Sequence, residues 1–325
     1  MIHNTRLDAA ARLIARVSAI AMGLVFVVII ASAYLRLTQA GLGCADWPAC
    51  YGAATAAADP LASLVRGTHR IAASAVGFLV VLIAVVCWSL GRQWPAQALV
   101  AALLAVLTVL LALLGRATTG THLPAVTLGN LLGGMTMLAL LCWLRLQVTM
   151  TATVPKADRM ITMSAGLGLV LLVAQISLGG LVSAHYALTS CTTFPDCNGA
   201  WWPRDWSLAG LDPWREASPP STTALAPDPG RQALHMAHRF GAAGVAVYLI
   251  GLAIVLLRRK ERMAVWSRRL IAAIAVQLAL GITALHLQPP LFAVLAHNAT
   301  AALLLLVLVA VIFQSRSAEV ASVSA

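Results

Sequence analysis

Charged side chains are scarce in this 325-residue chain: Asp, Glu, Lys and Arg make up 10% of it, and only 11 residues are acidic. Soluble globular domains carry about 25% charged residues, and disordered segments are poor in apolar ones, so the composition excludes both classes. Hydrophobic residues reach 60%, and the mean hydropathy is +0.87. These values indicate an integral membrane protein.

The chain also lacks the alternation of apolar and polar residues that is typical of half-buried strands. It contains instead eight long apolar runs, most of them close to the roughly 20 residues that a membrane-spanning helix requires. Only helices and closed barrels satisfy their backbone polar groups in lipid, so we predict an all-α membrane protein with eight transmembrane helices. The runs are 17–34, 69–90, 96–114, 125–146, 161–183, 235–257, 270–285 and 291–313.

Lys and Arg are distributed unevenly among the connecting segments. If both termini lie on one side, the segments on that side hold fourteen of the 22 basic residues. Basic residues concentrate on the cytoplasmic side, so we predict a bacterial-type cytoplasmic (inner) membrane, cytoplasmic termini, and extracytoplasmic loops 36–68 and 184–234. Topology and attraction to anionic lipid therefore explain the net charge of +11, and nucleic acid is not an expected partner.

A sequence motif occurs twice. Cys44-Ala-Asp-Trp-Pro-Ala-Cys50 matches Cys191-Thr-Thr-Phe-Pro-Asp-Cys197, and His69-Arg70 matches His238-Arg239. We therefore predict two tandem four-helix bundles, 1–150 and 151–325, related by a pseudo-two-fold axis along the membrane normal. The two long outer loops, rich in Pro, Gly and Trp, are expected to fold as caps.

The repeated cysteines lie on the predicted outer side, where disulfides persist. A proline between the two cysteines of each motif can turn the chain back on itself, so we expect disulfides Cys44–Cys50 and Cys191–Cys197. Two roles remain open. The disulfides can staple the caps, or they can serve a function, either thiol exchange with a periplasmic partner or gating of the substrate site.

Apart from His3, every histidine lies near an outer helix end. Ionisable groups within a bundle are expensive and usually mark a site, and imidazoles on facing helices are how bundles hold haem iron. His238 and His297 are the best pair, so we predict that they are the axial ligands of a haem iron. Arg239 is expected to pair with a haem propionate.

The remaining histidines of the outer side have weaker claims to ligation. His235 shares a helix face with His238, and it either lines the pocket or forms a hydrogen bond at the rim. Helix ends and short turns contain the others, for which interfacial solvation is a sufficient explanation: His122, His185 and His286.

Four segments together resemble the haem A synthase family. They are Arg36-Leu-Thr-Gln-Ala-Gly-Leu-Gly-Cys44 with the motif that ends at Cys50-Tyr-Gly52, the segment from Cys191 to Trp202-Pro203, His235-Met-Ala-His238-Arg239, and Ala296-His297-Asn298. The resemblance covers nearly all the spans and both caps.

This resemblance implies a haem b in the C-terminal half, ligated by His238 and His297. It implies that the N-terminal half receives the substrate haem O near His69, with Arg70 beside it. The C8 methyl group of haem O is then oxidised to the formyl group of haem A. An enzyme that supplies haem O, an electron donor and a homo-oligomer are the expected partners.

The N-terminal half departs from the family pattern at two positions. Arg66 stands where the family has a glutamate, and Asn130 stands where it has a second histidine. Arginine cannot act as a base at neutral pH, and asparagine is a poor iron ligand. Either His69 alone leaves an open face for oxygen, or the chain is a non-catalytic haem-b-binding protein of oxidase assembly. His122 is a weaker replacement ligand, and a transporter is disfavoured because no span is broken near its middle.

Overall fold

The computed structural model describes residues 2–39, 60–117, 123–150, 158–202, 206–216, 228–259, 261–287 and 290–316. These residues are helical apart from turns, loops and one isolated bridge between Cys197 and Ala200. Among them, eight helices are long and apolar enough to cross a membrane, which confirms the predicted all-α membrane fold. The helices are α1 (Ile2–Gln39), α2 (Pro60–Ser89), α3 (Pro95–Ala117), α4 (Pro124–Thr149), α5 (Arg159–Ala184), α6 (Pro229–Leu257), α7 (Glu261–His286) and α8 (Leu291–Arg316).

The outer loops are shorter than their predicted bounds of 36–68 and 184–234. Helix α1 continues to Gln39, α2 begins at Pro60, and α6 begins at Pro229. Hydropathy marks only the part of a helix that suits lipid, whereas proline favours the first helical position. At α6 the Asp228 carboxylate also accepts hydrogen bonds from the backbone N–H groups of Gly230 and Arg231. Helices α2 and α6 therefore begin several residues before the apolar runs and include polar residues that the predicted bounds left in the loops.

The helices of each half pack in the same cyclic order. Helix α1 contacts α2 and α4, and α3 contacts α2 and α4; likewise α5 contacts α6 and α8, and α7 contacts α6 and α8. The halves meet through α4 on α8, α1 on α8, and α4 on α5. This arrangement is the one expected of two tandem four-helix bundles. The pseudo-two-fold axis and the division at residue 150 stay predictions.

A hydrogen bond joins α1 to α5 near the C-terminal ends of both helices. Arg36 Nε donates to Ser183 Oγ at 3.0 Å, across a sequence separation of 147 residues. The same separation relates Cys44 to Cys191, so matching positions of the two repeats meet here. The contact therefore supports the repeat as a relation in space as well as in sequence.

Candidate functional site

Helices α6 and α8 bring the two predicted haem ligands together. The ring centroids of His238 and His297 lie 6.5 Å apart, and the ring planes are inclined by 71°. Both side chains are half-buried. His238 lies nine positions after the start of α6 and His297 six positions after the start of α8, so both lie in the first three turns of their helices.

Helix α5 holds the His238 ring with one polar side chain and one glycine. Gln175 Nε2 lies 2.9 Å from His238 Nδ1 and donates to the His238 carbonyl oxygen, also at 2.9 Å. One turn further along α5, a Cβ atom at Gly179 would lie 3.1 Å from His238 Cε1. Any residue other than glycine at position 179 would therefore crowd the His238 ring.

Helix α7 holds the His297 ring with the same pair of residue types. His297 Nδ1 lies 3.1 Å from the Gln277 carbonyl oxygen, and the Gln277 side-chain nitrogen lies 3.0 Å from His297 Nε2. A Cβ atom at Gly281 would lie 3.2 Å from His297 Cε1. A Gln-x-x-x-Gly sequence on the preceding helix thus supports each histidine.

The donor set suits a haem better than a bare metal ion. Within the part of the chain that the structure describes, no three His, Cys, Asp or Glu side chains form a metal-binding group. A porphyrin supplies four nitrogens itself and requires only two axial ligands. Two imidazoles on opposite sides of one metal, each bonded at about 2 Å, have ring centres about 6 Å apart, close to the observed spacing. His238 and His297 therefore fit a haem.

Arg239 is bound to the loop that the second cysteine motif forms. Cys191 and Cys197 form the predicted disulfide. The Arg239 guanidinium donates to the carbonyl oxygens of Thr193 at 2.8 Å and of Asp196. Its Nε is buried and has no hydrogen-bond partner among the described residues. The expected propionate contact stays a prediction.

Two histidines are more buried than their positions in the sequence suggest. His185 is 6% exposed and donates from Nε2 to the Asp212 carbonyl oxygen at 3.2 Å, so interfacial solvation is the wrong explanation for it. Burial lowers the pKa of His185, and the positive charges of Arg231 and Arg215 lower it further, against the opposing effect of Asp212. His235 is buried as well, and within the described residues its Nδ1 has no partner. His286 is exposed at the end of α7, as expected.

The N-terminal half contains no comparable pair of imidazoles in its described part. His69 is half-buried on α2, whereas Arg66 and Arg70 on the same helix are exposed. In the space between α3 and α4, Leu111 of α3 lies so close to Gly133 of α4 that a methyl group there would clash with it. Asn130 lies one turn before that glycine. Apolar packing fills this part of the space between α3 and α4.

Three predicted positions lie outside the described residues. They are Cys44 and Cys50 of the first predicted disulfide, and His122 between α3 and α4. These expectations stay predictions.

The supporting glutamines and glycines were not identified from the sequence. A signal for them was present, because Gln175-Ile-Ser-Leu-Gly179 and Gln277-Leu-Ala-Leu-Gly281 share their spacing and each precedes a histidine-bearing helix. A polar residue and a glycine one turn apart lie on one helix face. The motif was obscured because it lies inside apolar runs.

Comparison with known proteins gives one family model and several curated relatives that agree with one another. Residues 15–309 match the COX15-CtaA family model, described as cytochrome oxidase assembly protein. The chain is 33% identical over 306 residues to haem A synthase of Shewanella oneidensis, which covers 87% of this chain and 91% of that protein. It is 27% identical over 189 residues to haem A synthase of Shouchella clausii, covering 55% of this chain and 62% of the relative.

Proposed function

The chain belongs to the COX15-CtaA family of cytochrome oxidase assembly proteins, and from that premise we propose that it is a haem A synthase-type membrane oxidoreductase. Its substrate is haem O, whose C8 methyl group it oxidises to the formyl group of haem A. Two hydroxylations are needed, and each consumes one O₂, two electrons and two protons and releases one water. The second yields a geminal diol, which loses water to give the formyl group.

The approach of His238 and His297 is the observation that carries this proposal. The two imidazoles hold a haem b between α6 and α8, and the Gln175 side chain and the Gln277 backbone carbonyl oxygen orient them. When bound, this haem supplies one-electron transfer. Arg239 offers an N–H donor to a propionate at the outer rim.

The substrate half is assigned to helices α1 to α4, with His69 as the side chain that faces the substrate haem. A single imidazole leaves one side of the substrate iron open to oxygen. Arg70, exposed one position along the chain, is placed to attract a propionate. We place this half, with the outer caps, toward the extracytoplasmic side of the cytoplasmic membrane. An enzyme supplies haem O, and an external donor supplies electrons.

Complementation tests the activity. A bacterial strain that makes haem O but lacks its own synthase is transformed with this chain, and haems are extracted and separated by chromatography. The proposal predicts haem A in the extract. The His69→Ala variant, produced at the same level, should yield haem O alone.

The N-terminal half favours a second candidate function, that of a non-catalytic haem-b-binding protein in oxidase assembly. Arg66 and Asn130 replace the family residues, and Leu111 packs closely against Gly133, one turn beyond Asn130. The same experiment separates the two functions. A chain that carries haem b and yields no haem A in the complementation strain supports the second function and contradicts the first.

A further inference from the structure

The two glutamines of the site contact different atoms of their histidines. A neutral imidazole binds a metal through the nitrogen that lacks a proton, so the other nitrogen has to carry one. The group that faces this second nitrogen therefore selects the ligating nitrogen. For His297 that group is a backbone carbonyl oxygen, and for His238 it is the Gln175 side chain.

The backbone alone fixes His297. A carbonyl oxygen can only accept, so the Gln277 carbonyl 3.1 Å away holds the proton on Nδ1 and leaves the lone pair on Nε2. The Gln277 side chain donates to that lone pair in the absence of a ligand. Removing the Gln277 side chain therefore does not change which nitrogen is available to a metal.

His238 depends on the Gln175 carboxamide instead. The amide nitrogen lies at Nδ1, while Gln175 Oε1 is buried and has no hydrogen-bond partner within the described residues. An unpaired buried oxygen costs about 1–3 kcal/mol, so packing alone does not account for a glutamine here. A half-turn of the carboxamide brings this oxygen to Nδ1, where it accepts the N–H that ligation through Nε2 requires. The turn exchanges the amide hydrogen bond to the His238 carbonyl oxygen for the hydrogen bond to Nδ1.

We propose that Gln175 is a positioning residue, which fixes the orientation and the protonated nitrogen of His238 so that Nε2 is presented to a haem iron, whereas Gln277 is not required for the corresponding choice at His297. The inference deepens the proposed function and rests on it, because it requires that His238 and His297 ligate haem.

The test uses the full-length protein purified with its haem in detergent. The variants are Gln175→Met, Gln175→Glu, Gln277→Met and Gln147→Met. Gln147 is the matched control because its Oε1 is also buried without a partner among the described residues, but it lies on α4 in the other half. The rate of haem transfer to excess apomyoglobin is measured. The EPR g values of the ferric haem are recorded too, because they depend on the angle between the two imidazole planes.

We expect Gln175→Met to weaken haem retention by about 10- to 100-fold, which is the range typical of lost supporting contacts to metal ligands. The g values should shift as well. Gln277→Met and Gln147→Met should stay near wild type. Gln175→Glu keeps an acceptor at Nδ1 and should retain haem, with a reduction potential below that of wild type because the imidazole becomes more basic.

Equal haem loss in Gln175→Met and Gln277→Met, or no change in either, would overturn the inference. If Gln175→Met gives no folded protein, an unchanged reduction potential in Gln175→Glu would overturn it in the same way. Failure of the proposed haem site is recognised separately, since His238→Ala and His297→Ala would then retain the wild-type spectrum.

Discussion

The two halves of the protein pack their helices in the same order and fill the interior differently. In the C-terminal half, α5 and α7 each present a glutamine and a glycine to a histidine on the next helix. In the N-terminal half, α3 presents Leu111 to Gly133 of α4. The comparison shows that the helix arrangement alone does not specify a haem site. A few interior side chains do.

The outer ends of α2 and α6 differ in a similar way. Both carry the sequence His-Arg, at His69-Arg70 and at His238-Arg239. Arg239 is half-buried and ties the disulfide loop 191–197 to α6, whereas Arg70 is exposed. The same dipeptide thus binds the disulfide loop in one half and lies at the surface in the other.

The largest expected difference between the halves is in haem binding. His238→Ala or His297→Ala should abolish the low-spin haem b absorption of the purified protein, because one axial ligand is lost. Asn130→Ala and His69→Ala should leave that absorption intact, since neither residue lies in the C-terminal half. Optical spectra with a pyridine haemochrome assay give the haem per polypeptide. Low-spin absorption that survives in both C-terminal variants would remove the assignment.

The sequence was sufficient to predict the helices and the main pair of the site. Membrane-spanning runs are long and their composition is extreme, so their number could be read directly, and the clustering of histidines at one depth singled out His238 and His297. Helix ends were harder to predict, because the N-cap Asp228 and the first helical residue Pro60 lie outside the apolar runs.

The contacts that support the site depend on tertiary packing. Arg239 contacts the carbonyl oxygens of the disulfide loop because of the path that this loop takes. The hydrophobic periodicity of the sequence does not describe that path. The sequence predicts that His185 is solvated at the membrane–water interface, because it follows a helix end. The short helix at 208–211 and its flanking residues cover it instead. Local sequence gives no measure of such coverage.

Arg239→Ala and Arg70→Ala compare the two His-Arg dipeptides. Arg239→Ala should destabilise the protein by about 1–3 kcal/mol, because several loop carbonyl oxygens lose their donor. Arg70→Ala should change stability by no more than about 0.5 kcal/mol, as is usual for exposed residues. Thermal unfolding in detergent, followed by circular dichroism, provides the measurement. Equal destabilisation would mean that the two dipeptides serve the same purpose.

Gly281→Ala and Gly133→Ala compare the two interiors. A methyl group at position 281 would press on His297, and an imidazole forced from its preferred angle costs about 0.5–1.5 kcal/mol. We expect altered EPR g values and about tenfold faster haem loss, since about 1.4 kcal/mol corresponds to a factor of ten. Gly133→Ala should lower stability through overpacking and leave the haem signals unchanged. The comparison fails if both variants change the haem signals alike.

The smallest expected difference is in pH dependence. His185 has a pKa below its ordinary value in the folded protein, first because of burial and then because of Arg231 and Arg215. The unfolded chain therefore binds more protons as the pH falls below about 6.5, and the free energy of unfolding decreases with decreasing pH. His185→Gln keeps an N–H donor for the Asp212 carbonyl oxygen and cannot be protonated, so its unfolding temperature should decrease less between pH 7.5 and pH 5.5.

The matching position of the first repeat is Thr38, whose hydroxyl bonds to the Tyr34 carbonyl oxygen and does not titrate in this range. A Thr38→Val variant should accordingly keep the pH slope of the wild type, and a His185→Gln slope equal to that of the wild type would contradict the assignment.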